Sequence, residues 1–380
     1  MPESKIQQAP HKILAIPGPI EVTNEVLDAI SQPPMSHVSP GFVKIFRECM
    51  DMTRQVLYTT TGMPFIIAGS GTLGWDEVSS NLVEPGEAAL VVNTGYFGDG
   101  FSDCLRAYGA SVDHVRAPLG DVVPSIDIER ALKKRKYKIV VVTHVDTSTG
   151  VLSDVKAVAK IARKISPETL VVVDGVCSVA SEEIRMDDWD IDVILTASQK
   201  GLGTPPGLSI LVASARAIKV FENRKVPVTS YYASWQKWLP IMRAYDSGSP
   251  AYFATPPVNM VYAYHASLKQ ITVGLEERFR AHQRASERIK AVAKQLGYTQ
   301  IPKRPSIAAN GMTAIYVPDG FAPKEIIPRL TEHGIVVAGG LHKEVKDKYI
   351  RIGHMGTSVV DERRGDVETI ETALKASVRK

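Results

Sequence analysis

Two short runs, Ile139-Val140-Val141-Val142 and Leu170-Val171-Val172-Val173, are apolar at every position instead of at every second one. Successive side chains of a strand point to opposite faces, so a strand with one wet face alternates. An unbroken run predicts a strand buried on both faces, as in a parallel sheet covered by helices on each side. Further apolar runs at 65–68, 88–92, 111–115 and 193–196, separated by amphipathic stretches of helical period, extend the pattern to a large α/β domain. Past Gly207 the pattern weakens into an aromatic- and proline-rich stretch, 226–257, with Tyr231-Tyr232, Trp235, Trp238 and Tyr252-Phe253. A long irregular segment predicts a functional or interface role. One helix is expected over about 258–296, followed by a strand at 313–317, a helix at 323–333 and a strand at 335–337. The expected organisation is an N-terminal arm over 1–20, a large domain over 21–265 and a smaller α+β domain over 266–380, joined by that helix.

Composition removes several function classes. The net charge of +4 is slight and the basic residues are scattered, so no nucleic-acid footprint is expected. No run reaches the length of a membrane span, which takes ~20 apolar residues, and residues 1–12 are too polar for a secretion signal. Cys49, Cys104 and Cys177 are odd in number and lack paired metal spacing, which predicts buried thiols in a reducing compartment. A cytoplasmic location is expected; the C-terminal Val378-Arg379-Lys380 is not the usual peroxisomal tripeptide, and mitochondrion and peroxisome stay open. The nine histidines show no metal spacing, so no metal is expected, and His37, His144 and His354 read as packing or rim residues.

Three features carry chemistry. Gly69-Ser70-Gly71-Thr72-Leu73-Gly74 follows a strand and opens a helix, which matches a dinucleotide-binding turn. Such a domain also wants an acid ending the next strand, and that strand ends Val92-Asn93-Thr94-Gly95. What remains is a general anion site: free N–H groups at a helix N-terminus, with the Ser70 and Thr72 hydroxyls beside them. Next, Val171-Val172-Val173-Asp174 is a buried strand ending in a carboxylate, and ligands of such sheets sit beyond the carboxyl ends of strands. Finally, the strand in Leu195-Thr196-Ala197-Ser198-Gln199-Lys200-Gly201 runs straight into a lysine, whose amine becomes a nucleophile toward an aldehyde if it is desolvated.

An anion cradle, a strand-end carboxylate and a desolvated lysine are together what pyridoxal phosphate requires. With them the chain resembles the class V, fold type I aminotransferases, closest to the alanine–glyoxylate and serine–pyruvate group, fungal enzymes included. The resemblance spans Pro17-Gly18-Pro19, Ala68-Gly69-Ser70-Gly71-Thr72, the run from Thr143-His144-Val145-Asp146 through Thr147-Ser148-Thr149-Gly150, Val173-Asp174, Ser198-Gln199-Lys200, Tyr252-Phe253-Ala254-Thr255-Pro256-Pro257 and Ile350-Arg351-Ile352-Gly353. It implies that Lys200 holds the cofactor as a Schiff base and that Asp174 pairs with the ring nitrogen. It further implies that Ser70, Gly71, Thr72 and Gln199 bind the phosphate and that Phe97 stacks on the ring, where close relatives often carry tryptophan. Tyr252 and Thr255 would reach the neighbouring subunit's phosphate, making a homodimer with shared sites. Arg351 would bind the substrate carboxylate, with Ser148 and the Gly18 backbone beside it. The implied reaction passes an amino group from alanine, or serine, to glyoxylate. A pocket with one arginine and no second cationic site suits such small substrates. Two rivals stand beside this: a cysteine desulfurase or lyase of the same fold, and an NAD-dependent oxidoreductase built on residues 69–74.

Overall fold

The computed structural model describes residues 6–379. Seven strands form the large sheet: β1 (Met63–Ala68), β2 (Ala88–Asn93), β3 (Ser111–Arg116), β4 (Ile139–Thr143), β5 (Leu170–Asp174), β6 (Val193–Ala197) and β7 (Leu208–Ala213). Their spatial order is β1-β7-β6-β5-β4-β2-β3. From β6 across to β3 every pairing is parallel. β7 alone is reversed, antiparallel to both β1 and β6, so β1 regains the common direction. Every residue of β4 and β5 is buried, as their unbroken apolar runs predict.

The strand β7 is a correction to the sequence reading, which expected the pattern to fade past Gly207. It returns directly from β6 through a loop with no helix in it, and that loop holds Gly203, Pro205, Pro206 and Gly207, which read as the start of an irregular stretch. That loop, residues 198–207, is the one that carries Gln199 and Lys200.

Helices α1 (Gly71–Leu82) and α2 (Tyr96–Ala107) follow β1 and β2. Gly74 lets α1 lie close on the sheet, because a Cβ there would sit 3.0 Å from the Leu195 Cβ of β6. The aromatic stretch is also more ordered than expected. It contains α3 (Trp235–Asp246), a helix with Pro240 in its interior. An internal proline masks helical signals in a sequence. Trp235 of α3 stacks on Phe65 of β1 with ring centroids 4.8 Å apart.

In place of one helix over 258–296 there are two, α4 (Val258–Thr272) and α5 (Leu275–Gln295), broken at Val273-Gly274. Leu268 and Ile271 of α4 pack into the large apolar cluster under the sheet. Ala281, Ala285, Ile289 and Ala293 of α5 pack into a second cluster. The break therefore falls where the chain leaves one core for the other. Around the second cluster lies an antiparallel sheet of β8 (Thr299–Gln300), β9 (Met312–Tyr316), β10 (Ala338–Gly339) and β11 (Tyr349–Gly353), in the order β8-β9-β11-β10. The strand expected at 335–337 exists as Ile335–Val336 but pairs with Ile13–Leu14 of the N-terminal arm, outside this sheet.

Arg278, in the first turn of α5, ties the two parts together. It is buried, and its guanidinium donates to the carbonyls of Ala180 at 2.8 Å and Gly201 at 2.7 Å. Burial pushes its pKa down to about 10. Replacing Arg278 by alanine leaves two buried carbonyls without donors, and is expected to lower stability by ~2–4 kcal/mol. Urea unfolding of the variant against the wild type measures this.

Candidate active site

Because the strands are parallel, their carboxyl ends share one edge. The register pairs Thr143 with Asp174 and Asp174 with Leu195, which sets the ends of β4, β5 and β6 side by side. Beyond that edge is a cavity of about 170 Å³ lined by Ser70, Gly71, Thr72, Phe97, Asp174, Gln199 and Lys200, among others. Seven of the residues singled out in the sequence thus come together from four separate strand ends.

Lys200 is mostly buried, and burial pulls its amine below the ordinary lysine range, with the Arg351 charge acting the same way and Asp174 opposing it. Its Nζ donates to the carbonyl of Pro17 in the N-terminal arm. A Cβ on Gly18 would lie 2.3 Å from the Lys200 Cδ, and Gly18 has φ +122°, so both the close approach and the backbone require glycine there. Asp174 accepts hydrogen bonds from Trp75 Nε1 at 2.9 Å and from the Val176 N–H at 3.0 Å. Burial outweighs both, and the carboxyl is raised to about 6.

At the other end of the cavity, Ser70 precedes α1 without capping it, so the first N–H groups of that helix are open to an anion. A Cβ on Gly71 would meet Val176 Cγ2 at 2.7 Å. Gln199 Oε1 and Thr143 Oγ1, both on the cavity wall, are buried without a hydrogen-bond partner. Buried polar atoms are normally satisfied, so these two point to a polar ligand.

Arg351 lies in the middle of β11, buried, and donates to the carbonyls of Gly339 at 2.8 Å and Thr147 at 3.4 Å. It borders the cavity through Thr147. Ser148 does not line the cavity. Its hydroxyl is taken up by Asp146 at 2.5 Å and by the Tyr96 N–H at 3.0 Å, and the adjacent Thr147 faces the space instead. A one-residue difference within a tight turn is invisible to spacing. Tyr252 is 65% exposed and, with Thr255, is not among the residues around the cavity of its own chain. His144 and His354 are buried and held neutral, pushed by burial to about 4 and about 3.

The sequence reading passed over Trp75, Thr147, Val176 and Cys177, all on the cavity wall. Trp75 lies four residues past Gly71 on α1, one helical turn along, and that spacing was the available signal. Cys177 is buried, as expected of a packing thiol, and Cys104 is only partly so. Among the described residues no group of His, Cys, Asp and Glu could hold a metal ion, and no helix is long and apolar enough to cross a membrane.

The family "Aminotransferase class-V" matches residues 27–355. This chain belongs to the class-V aminotransferases. It is 44% identical over 357 residues to alanine–glyoxylate aminotransferase 1 of Saccharomyces cerevisiae, covering 91% of this chain and 92% of that one. It is 32% identical to the L-aspartate–glyoxylate aminotransferase of Paracoccus denitrificans, over 90% of this chain and 86% of the other. A crystal structure of alanine–glyoxylate aminotransferase from Nostoc superposes with a TM-score of 0.90 at 29% identity, covering 99% and 98% of the two chains. The architecture of this class-V aminotransferase is fold type I: a mostly parallel large sheet with a second, smaller antiparallel sheet.

The raised Asp174 carboxyl has a measurable consequence in the apoprotein. A carboxyl raised on folding adds stability below its unfolded pKa of ~4, and that stability is lost as pH rises through the folded value of about 6. Asp174→Asn buries no charge, so it is expected to gain on the wild type by up to ~3 kcal/mol between pH 4 and pH 7. Chemical denaturation of both apoproteins across that range measures it, and a pH-independent difference would count against the assignment.

Proposed function

We propose that this class-V aminotransferase carries pyridoxal phosphate in the cavity at the carboxyl edge of the large sheet, and moves an amino group from a small amino acid to glyoxylate. The observation that carries the reading is the desolvated Lys200 amine sharing one small cavity with the Asp174 carboxyl and the open N-terminus of α1. The orphaned Gln199 Oε1 fits a polar cofactor, and the missing Cβ at Gly71 lets the first turn of α1 sit close against Val176 on the cavity wall.

In this reading Ser70, Gly71, Thr72 and Gln199 hold the phosphate, Phe97 packs on the ring, and Asp174 holds a proton on the ring nitrogen. The cofactor supplies an electron-accepting ring conjugated to the substrate's Cα. Lys200 would be the amine that links to the cofactor, and the same amine would serve as the base and acid that moves the proton at the substrate's Cα. A lysine kept below its ordinary pKa by burial gives up its proton more readily than a solvated one, which is the direction that task requires. Arg351 receives the substrate carboxylate with its guanidinium, in a setting where burial excludes competing water. Gly18 leaves the space Lys200 occupies. Ser148 acts behind Thr147, holding the turn. Tyr252 and Thr255, outside their own cavity, are read as reaching the site of a second copy, which makes the enzyme a homodimer with shared sites.

Glyoxylate as acceptor is supported by the activities named for the yeast and Paracoccus relatives, and the yeast name favours alanine as donor. The cysteine desulfurase alternative needs a mobile thiol, whereas Cys49 and Cys177 are buried, Cys104 is partly buried within α2, and burial raises all three. An oxidoreductase built on the glycine turn would need an acid after β2, and β2 ends at Asn93.

The purified protein is expected to be yellow, and alanine alone should convert its visible absorbance while glyoxylate reverses the change. Lys200→Ala is expected to lose that band and at least ~10³-fold in kcat/KM. Arg351→Leu should raise the KM for alanine by ~30-fold or more while cofactor uptake persists. Steady-state kinetics with absorbance titration reads both, and a variant at position 200 that still turns over at the wild-type rate would overturn the proposal.

A further inference from the structure

The buried carboxylate of Asp146 has no place in the chemistry above, yet it lies at the junction of three elements that build the site. It ends the first strand of a short hairpin, Val145–Asp146 with Val151–Leu152, and is fully buried. Its Oδ1 accepts from the Ser148 N–H at 2.9 Å and the Ser148 hydroxyl at 2.5 Å, while its Oδ2 accepts from the Phe97 N–H at 3.2 Å. Its backbone carbonyl takes the N–H groups of Thr149 at 3.1 Å and Gly150 at 2.8 Å, closing the turn that carries Thr147 and Ser148.

Two observations make this more than packing. The residue before α2 is Gly95, which has no side chain to cap the helix, and a Cβ there would lie 2.7 Å from the Asp146 carboxylate carbon. Asp146 thus caps α2 from a distant part of the chain, with a carboxyl oxygen accepting at the N–H end of the helix. Phe97 is in the first turn of that helix, and its ring lines the cavity. On the other side, the same turn presents the Thr147 carbonyl to Arg351 and the Ser148 carbonyl to the Tyr349 hydroxyl at 2.5 Å. Tyr349 and Arg351 are both in β11, so the turn held by Asp146 is where the small antiparallel sheet meets the cavity.

We propose that Asp146 is a positioning residue that holds Phe97 against the bound cofactor ring and the Thr147-Ser148 turn against Arg351. This rests on the reading of the cavity as a pyridoxal phosphate site. Asp146→Asn keeps the shape but puts two N–H donors where a carboxylate oxygen now accepts, so one face meets donors with a donor.

The test is a coupling measurement on cofactor affinity. Apoprotein of the wild type, Asp146→Asn, Phe97→Ala and the double variant is titrated with pyridoxal phosphate, followed by visible absorbance and induced circular dichroism. Asp146→Asn is expected to weaken binding ~10-fold and alter the induced dichroism in the wild-type background, but to cost less than ~3-fold once Phe97 is removed. It should also raise the KM for alanine more than it lowers kcat. Equal losses in the two backgrounds, or unchanged affinity, would overturn the proposal. Should Asp146→Asn not fold, Ser148→Ala gives the same comparison at smaller amplitude, ~3-fold with Phe97 present and none without it, and equal losses again overturn it. Failure of the wild type itself to take up pyridoxal phosphate is a different outcome, which overturns the reading of the cavity and this inference with it.

Discussion

The structure depends on keeping one amine out of water. Lys200 sits in a loop between two buried strands, packed against the N-terminal arm so closely that only glycine fits at position 18. A lysine held there lowers its own pKa, because the charged form loses its hydration and is only partly compensated by the Asp174 carboxylate. Asp174 is subject to the same penalty with opposite sign. Two groups that burial makes less willing to ionise face one cavity, which is the arrangement a reaction built on proton movement needs.

Everything else serves that placement. The parallel sheet collects four strand ends at one edge, and the single reversed strand, β7, turns the lysine loop back across that edge instead of letting it run into a helix. The N-terminal arm then passes between the lysine loop and the small sheet. The Ile20 N–H binds the Gln199 carbonyl, and the Gly353 N–H binds that of Ala15. A Cβ at Gly353 would collide with the Ile16 carbonyl, 2.0 Å away, so the glycine after Arg351-Ile352 makes room for the arm. The two sheets are joined at the site and not only by α5, through Arg351 and Tyr349 on one side and the turn organised by Asp146 on the other.

The corrections to the sequence reading share one cause. β7 was missed because Pro205, Pro206 and Gly207 before it read as irregular chain, α3 because Pro240 interrupts its pattern, and the split between α4 and α5 because a single glycine, Gly274, is tolerated inside a helical pattern. In each case the local signal was overruled by which core the segment packs against, information that a window of neighbouring residues does not contain. Ser148 illustrates the same limit at the site: residue type and spacing pick out the turn, but only the turn's geometry decides that Thr147 faces the cavity and Ser148 faces Asp146.

The amino-acid sequence determined the buried parallel strands, since unbroken apolar runs have no other stable place, and with them the strand-end positions of Asp174 and Lys200 and the helix N-terminus at residue 71. It also carried the family, in motifs spread from residue 17 to residue 353. What only the tertiary structure decided is which of these meet. The strand order, the reversed β7, the path of the arm and the cap that Asp146 places on α2 are contacts between residues dozens to hundreds of positions apart. Their physical content, desolvation and hydrogen-bond geometry, exists only once the chain is folded.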